Sequence, residues 1–241
     1  MTTPELGFDL LLEDGPALVI NKPGGILTQS PPGIDSVERR IKAFLKHRDG
    51  KTGNVYLGVP HRLDRPASGA MVFARHSRAA RRLAEQFEGR LVQKIYLAIV
   101  AGETPEAGTW TDHLRKIPGV ARGEVVPPDH EDGREAVLHF QRIALLDSPF
   151  ASVLQIKLET GRMHQVRIQA SSRGHPLWGD EQYGSEVTFG PQTEDPRMRW
   201  IALHAHRLEF RHPMTRLPVA VVAPLPEPWS DVSDVIEQTI G

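Results

Sequence analysis

The chain has 241 residues, a formal net charge of −1 and no cysteine, which excludes a disulfide framework, a thiolate metal site and a cysteine nucleophile. Its 39% hydrophobic and 24% charged content is ordinary for a soluble globular protein, and its length suits one large domain or two small ones. No apolar run approaches the roughly 20 residues of a membrane helix, and the acidic segment 1–15 lacks the apolar core of a secretory signal, so a cytoplasmic protein is expected.

In chain order, Ser36 can cap a helix whose inward stripe is Val37, Ile41, Phe44 and Leu45. Val55, Leu57 and Val59 alternate as in a half-buried strand, and Ala70–Ala74 is short and apolar like a buried one. Between them lies His61-Arg62-Leu63-Asp64-Arg65-Pro66-Ala67-Ser68-Gly69, where basic and turn-forming residues crowd around one carboxylate. Pro66 and Gly69 punctuate this stretch, so Asp64 is expected in a rigid loop between two strands, a common seat for site residues. The plain alternative is an aspartate that caps a turn and pairs with Arg62 or Arg65. Ser77 can cap a second helix, with Ala80, Leu83, Ala84 and Phe87 inward and Gly89 near its end.

Leu91–Val100 then reads as a strand with Lys94, Tyr96 and Ala98 on one face. Residues 101–135, rich in glycine, proline and charge, read as a surface excursion. Leu154, Ile156 and Leu158 alternate with polar residues as a further strand, which Thr160-Gly161 ends before a helical turn carrying Arg162, His164, Gln165 and Arg167. Residues 184–199, with two prolines and mixed charge, read as an insertion and a candidate mobile segment. Trp229–Ile240 reads as a terminal helix with Ser230 as its cap and Val232, Val235 and Ile236 at helical spacing. Strands and helices do not alternate strictly, which argues against a doubly wound fold.

The near-zero net charge conceals a segregation. Residues 61–100 hold eight basic side chains against three acids, residues 101–135 hold four against eight, and residues 197–216 hold five arginines against Glu209 alone. A basic face beside an acidic flank is the footprint expected for phosphate contact.

His61-Arg62-Leu63-Asp64, followed by Ser68-Gly69, resembles the signature of the RluA-type pseudouridine synthases, which isomerise uridine in structured RNA. Further segments fit in the family's order: Ala17–Gly25 with its Asn21-Lys22-Pro23 turn, Lys94-Ile95-Tyr96-Leu97-Ala98, Thr160-Gly161-Arg162-Met163-His164-Gln165-Val166-Arg167, Gly174-His175-Pro176 with Gly179-Asp180 and Tyr183-Gly184, and Leu203–Phe210 followed by His212-Pro213. Together they run from about residue 15 to residue 225. The chain departs from the pattern at Pro66-Ala67, where the family has an acidic or polar residue and Thr, and at Met163, where it has Thr or Ser.

The resemblance implies an α+β fold: one catalytic domain spanning residues 1–241, built around a long, bent, mostly antiparallel mixed sheet with a central active-site cleft. Only about 20 residues precede the Asn-Lys-Pro turn, so the small RNA-binding domain that many relatives carry there is expected to be absent. Its implied partner is structured ribosomal or transfer RNA; a monomer with no cofactor, no metal and no membrane association is expected.

The implied reaction breaks the N-glycosidic bond, turns the uracil over and rejoins it through carbon 5. The resemblance assigns the catalytic carboxylate to Asp64, which either attacks carbon 1 or removes a ribose proton; both routes stay open. It nominates Arg162 as the cation that keeps Asp64 ionised in a partly dry cleft, and Tyr96 as the aromatic against the uracil. Arg62 matches the residue that fills the gap left by a flipped-out nucleotide. His61 either contacts RNA or braces the loop; Lys22 serves the turn or a phosphate; Arg167 is a further RNA-binding candidate. Ile201 or Leu203 should floor the uracil pocket. His164, His204, His206 and His212 have no Cys or Asp at ligand spacing, so no metal site is expected. The rival readings are a catalytically inactive RNA-binding or ribosome-assembly factor on the same fold, and a glycoside hydrolase, which would need a second acid paired with Asp64.

Overall fold

The computed structural model describes residues 6–240. The class is α+β with mostly antiparallel strands: ten strands and four α-helices among the described residues. None of these helices is long and apolar enough to cross a membrane. The chain divides into two compact units, one comprising residues up to Lys94 with 195–198 and 205–224, the other comprising 95–194, 199–204 and the segment from Leu225 onward.

In the first unit, β1 (Asp9–Asp14) and β2 (Ala17–Lys22) form an antiparallel hairpin. All six residues of β2 are buried, so its apolar run does not alternate. It pairs antiparallel with β3 (Ser68–Ala74), which places Lys22 opposite Gly69. β9 (Leu203–Arg211), from Ala205 onward, continues the sheet beside β3 and pairs antiparallel with β10 (Pro218–Val222). Val19, Val72, Leu83, Leu208 and Phe210 lie in one core cluster. Helix α1 (Val37–Arg48) forms as read: Ser36 accepts from the Arg39 N–H at 3.4 Å, and Val37, Ile41 and Leu45 are buried at spacings of four. Helix α2 (Ser77–Glu88) starts one residue differently from the reading. Its cap is His76, whose Nδ1 accepts from the Ala79 N–H at 3.1 Å, while Ser77 is the first helical residue.

The expected strand at 55–59 is absent. Only Gly58 bridges to Ala74, through mutual N–H···O bonds of 2.7 and 2.9 Å. The neighbouring Pro60 has no N–H to extend the ladder, so the apolar alternation buries Leu57 without building a strand.

The second unit holds an antiparallel array in the order β4 (Gln93–Ala101, from Ile95 onward), β8 (Phe150–Leu158), β7 (Arg134–Asp147), β5 (Ala107–Lys116) and β6 (Gly123–Val126). About half of the surface excursion expected at 101–135 is therefore sheet. Its strands bury few positions (Trp110 and Leu114 in β5), and the charges that suggested a loop fall among the partly and fully exposed positions between and beside them. Helix α3 (Gln165–Ser171) follows β8, with six of its seven residues buried. Helix α4 (Ser230–Ile240) closes the unit and buries Val232 and Ile236, while Ser230 is its first helical residue rather than a cap. Trp229, fully buried, joins Leu97, Ile99, Val153 and Phe189 in the core beneath α4.

Candidate active site

The loop 61–69 is held from four sides within the first unit. Thr28 makes a reciprocal pair with Leu63, its Oγ1 donating to the Leu63 carbonyl at 3.0 Å and accepting from the Leu63 N–H at 3.2 Å. The segment carrying Thr28 is itself fixed, because the Val37 and Glu38 N–H groups at the start of α1 donate to the carbonyls of Leu27 and Thr28 at 2.9 and 3.1 Å. Asp64, half-buried, follows Leu63, and its carbonyl accepts from the Ala67 N–H at 3.1 Å to close a turn. Arg65 turns back to donate from Nε to the Gly25 carbonyl at 2.9 Å.

Beneath the loop sits Lys22. Its side chain is fully buried, and Nζ donates to the carbonyls of Pro23, Arg65 and Ala67 at 2.8, 3.2 and 2.7 Å. Burial pulls its ammonium down from 10.5 to about 7, opposed by the charge of Asp64 and assisted by that of Arg65. The three acceptors match the three N–H bonds of the charged form, since a neutral amine would leave one carbonyl without a donor. Lys22 thus ties the Asn-Lys-Pro turn to both sides of Pro66, and Ala67, where the family has a hydroxyl, contributes its carbonyl instead. Being buried with all its donors used, Lys22 is not a phosphate contact, which corrects that expectation.

His61 closes the fourth side. Its Nε2 accepts from the Val72 N–H at 3.0 Å, and its ring stacks on Phe87 with centroids 4.3 Å apart. Desolvation first, and the Lys94 charge second, push its pKa down to about 3, so the imidazole is neutral with the proton on Nδ1. Of the two roles left open for His61, the geometry matches the brace. Arg62, next to it, is exposed. The exit of the loop depends on a glycine: Gly69 has φ +120°, and a Cβ there would lie 2.4 Å from both the N and the O of Ala205.

Tyr96, Arg162, Arg167, Ile201 and Leu203 belong to the second unit. Tyr96 is buried on β4, paired in register with Ile156. Arg162 is exposed just before α3, its Nε donating to the Glu135 carbonyl at 2.8 Å. The expected helical turn is more elaborate than a simple helix start. His164 takes a left-handed conformation at φ +53°, and Gln165 Oε1 accepts from Thr160 Oγ1 at 2.7 Å and the Arg162 N–H at 3.0 Å, folding the segment back on itself. Ile201 and Leu203 are buried, as a pocket floor or an ordinary core would be.

Arg167 does not present its charge to solvent. It is 4% exposed, bonds both carboxylate oxygens of Asp180 at 2.7 Å and donates to Gln182 Oε1 at 2.9 Å. The RNA-binding expectation for Arg167 is therefore corrected: its fork is filled by a buried carboxylate.

Sequence reasoning missed Thr28 and Gly25 as loop supports. The signal for Gly25 lay in the Gly24-Gly25 pair after the Asn-Lys-Pro turn, since Gly25 has φ +79°. Nothing local marked Thr28, whose partner lies 35 positions away.

The site thus offers a half-buried carboxylate on a braced loop, with the exposed Arg62 two residues before it. Comparison with known proteins agrees. A family model described as RNA pseudouridylate synthase matches residues 16–172. The chain is 35% identical over 230 residues to the ribosomal large subunit pseudouridine synthase D of Xylella fastidiosa, covering 92% of this chain and 67% of that protein. It is 33% identical over 231 residues to the tRNA pseudouridine synthase C of Haemophilus ducreyi, covering 92% and 93%. The solved structure of human RNA pseudouridylate synthase domain containing 4 shares the fold, with a TM-score of 0.75 at 22% identity over 95% of this chain and 93% of that one. Pattern, fold and identity converge, and the chain belongs to the RNA pseudouridylate synthase family.

Proposed function

We propose that Asp64 is the carboxylate with which this enzyme converts uridine to pseudouridine in structured ribosomal or transfer RNA, within a single catalytic domain in the cytoplasm. The carrying observation is the clamping of the Asp64 loop by Thr28, Lys22, Arg65 and His61. Such bracing of the backbone on either side of Asp64 supports the reading, since a preset carboxylate needs little reorganisation as a reaction proceeds. The relatives named for ribosomal and for transfer RNA both align over most of the chain, and both substrates are structured RNAs.

Tyr96 is proposed against the uracil and Arg162 as the compensating cation, on the match of Lys94–Ala98 and Thr160–Arg167 to the family's segments. Ile201 and Leu203 are proposed for the pocket floor. Arg62, exposed beside the loop, is proposed to fill the vacancy left when the target nucleotide is extruded, a step that costs a few kcal/mol of stacking.

The deciding experiment is Asp64→Asn, assayed by tritium release from RNA labelled at uridine carbon 5. The fold and RNA affinity should persist while isomerisation disappears. Turnover within about tenfold of wild type would overturn the assignment.

A further inference from the structure

Residues 184–199 read as an insertion, yet their tip is built into the first unit. Residues 195–198 belong to that unit, while the flanking 184–194 and 199 belong to the second. The tip is ordered locally: Asp195 Oδ1 accepts from the Arg197 N–H at 2.9 Å, and Pro196–Met198 form one 3-10 turn.

Two contacts seat this turn on the catalytic loop and its neighbour. The Met198 carbonyl packs so close to Gly25 that a Cβ there would lie 2.6 Å from its oxygen. Met198 Sδ lies 3.4 Å from an outer nitrogen of Arg65, whose Nε is held by the Gly25 carbonyl. Arg65 is thus gripped between the Asn-Lys-Pro turn and the insertion tip, one residue from Asp64. The charge of Asp195 is also near enough to that of Arg65 for each to act on the other.

Arg197 faces outward: it is 78% exposed, and its Nε donates to Asp195 Oδ1 at 3.2 Å, on a side chain itself 43% exposed. An ion pair that open to water is weak and readily exchanged. A phosphate can take the guanidinium through two oxygens, whereas Asp195 meets it through Oδ1.

We propose that Asp195–Met198 form a substrate-reading strap, in which Met198 fixes the guanidinium of Arg65, the residue after Asp64, and Arg197 exchanges Asp195 for a phosphate of the RNA strand that enters the Asp64 loop. Met198 is then a positioning residue and Arg197 an RNA contact. The proposal rests on the pseudouridine-forming role of Asp64. The strap makes recognition of flanking RNA a property of the 184–199 segment, outside the motifs around Asp64.

The test uses ribosomal and transfer RNA from cells that lack this protein and are grown on uridine tritiated at carbon 5. Arg197→Ala should raise KM several-fold with a smaller change in kcat, and should lower the slope of log affinity against log salt by about one. Arg197→Lys should restore most of that slope. Met198→Ala should lower single-turnover kcat about tenfold with the melting temperature nearly kept, and Met198→Leu, which refills the volume, should recover most of the rate. Wild-type KM and salt slope in Arg197→Ala would overturn the phosphate contact, and wild-type kcat in Met198→Ala would overturn the positioning role. If wild-type protein released no tritium, the role of Asp64 would fall instead, while the salt slope would still decide whether Arg197 meets RNA.

Discussion

Lys22 and Arg167 are both buried cations, and both looked from the sequence like RNA contacts, yet the two units use them in opposite ways. Arg167 is closed by a carboxylate whose two oxygens match its fork, so charge and hydrogen bonds are satisfied at once. Lys22 has no carboxylate among its hydrogen-bond partners, only three carbonyl dipoles, and the charge of Asp64 acts on it without a bond. The first arrangement fastens structure; the second leaves a buried cation, its pKa pulled down to about 7, under the loop that carries Asp64. Lysine suits the second because its pKa moves with burial while arginine stays charged.

The largest effect should come from breaking the Arg167 pair. Arg167→Ala strands Asp180, and a loss of about 3–5 kcal/mol in denaturant unfolding is expected. The double variant Arg167→Met/Asp180→Leu should recover most of it, because an apolar pair removes both charges together. If the single variant instead unfolded normally and bound RNA with a lower salt slope, the corrected reading of Arg167 would have to be restored.

Lys22→Met should cost less stability, about 1–3 kcal/mol for carbonyls left without donors. It should nevertheless lower kcat, since the loop that carries Asp64 loses its tie at Arg65 and Ala67. RNA affinity should hold, measured by filter binding; a fall in affinity matching the fall in rate would return Lys22 to the phosphate contacts.

The third prediction concerns pH. His61 has a folded pKa of about 3 against an ordinary 6.5. The unfolded chain therefore binds a proton that the native state refuses, so stability is fully present above pH 6.5 and is lost as pH falls toward 3. Protonation would also turn the acceptor of the Val72 N–H into a donor. His61→Asn should flatten this acid limb in a series of unfolding curves, and an unchanged limb would show that His61 is not the group responsible. The smallest expected effect is His76→Ala, which removes the α2 cap and should cost about 0.5–2 kcal/mol without altering RNA turnover.

These residues also show where the sequence was legible. The helix α1, the strands β3 and β8, and the fixed loop around Asp64 were readable because their cues are local: a cap with a stripe at spacings of four, alternation, and Pro66 with Gly69 as punctuation. β5 and β6 were not, because an edge hairpin with one thinly buried face has the composition of a loop. The strand misread at 55–59 shows the converse, a correct apolar alternation whose backbone found only one partner, at Gly58. In the site, the motif singled out Asp64, while the environment that holds its loop was not legible. Thr28, Gly25 and Met198 reach the loop from 35, 40 and 133 positions away from their partners, and no local pattern encodes such contacts. The charge of Lys22 and Arg167 was plain in the sequence; their burial was decided by which acceptors the fold brought to them.

Lys22 has a consequence for observing the loop in motion. An amine with no access to solvent cannot meet an acylating reagent, however large its neutral fraction near pH 7. The Lys22 side chain is fully buried, and its three acceptors come from the turn and from both sides of Pro66. It should stay unlabelled in the closed state while exposed lysines such as Lys46 and Lys51 are modified at once. Its slow labelling then counts openings of the Asp64 loop, because the reagent can enter only while those carbonyls have let go. The ratio of that rate to the rate for a free amine would give the opening equilibrium directly. The chain thus carries, beneath Asp64, a native reporter of how often the loop 61–69 comes undone.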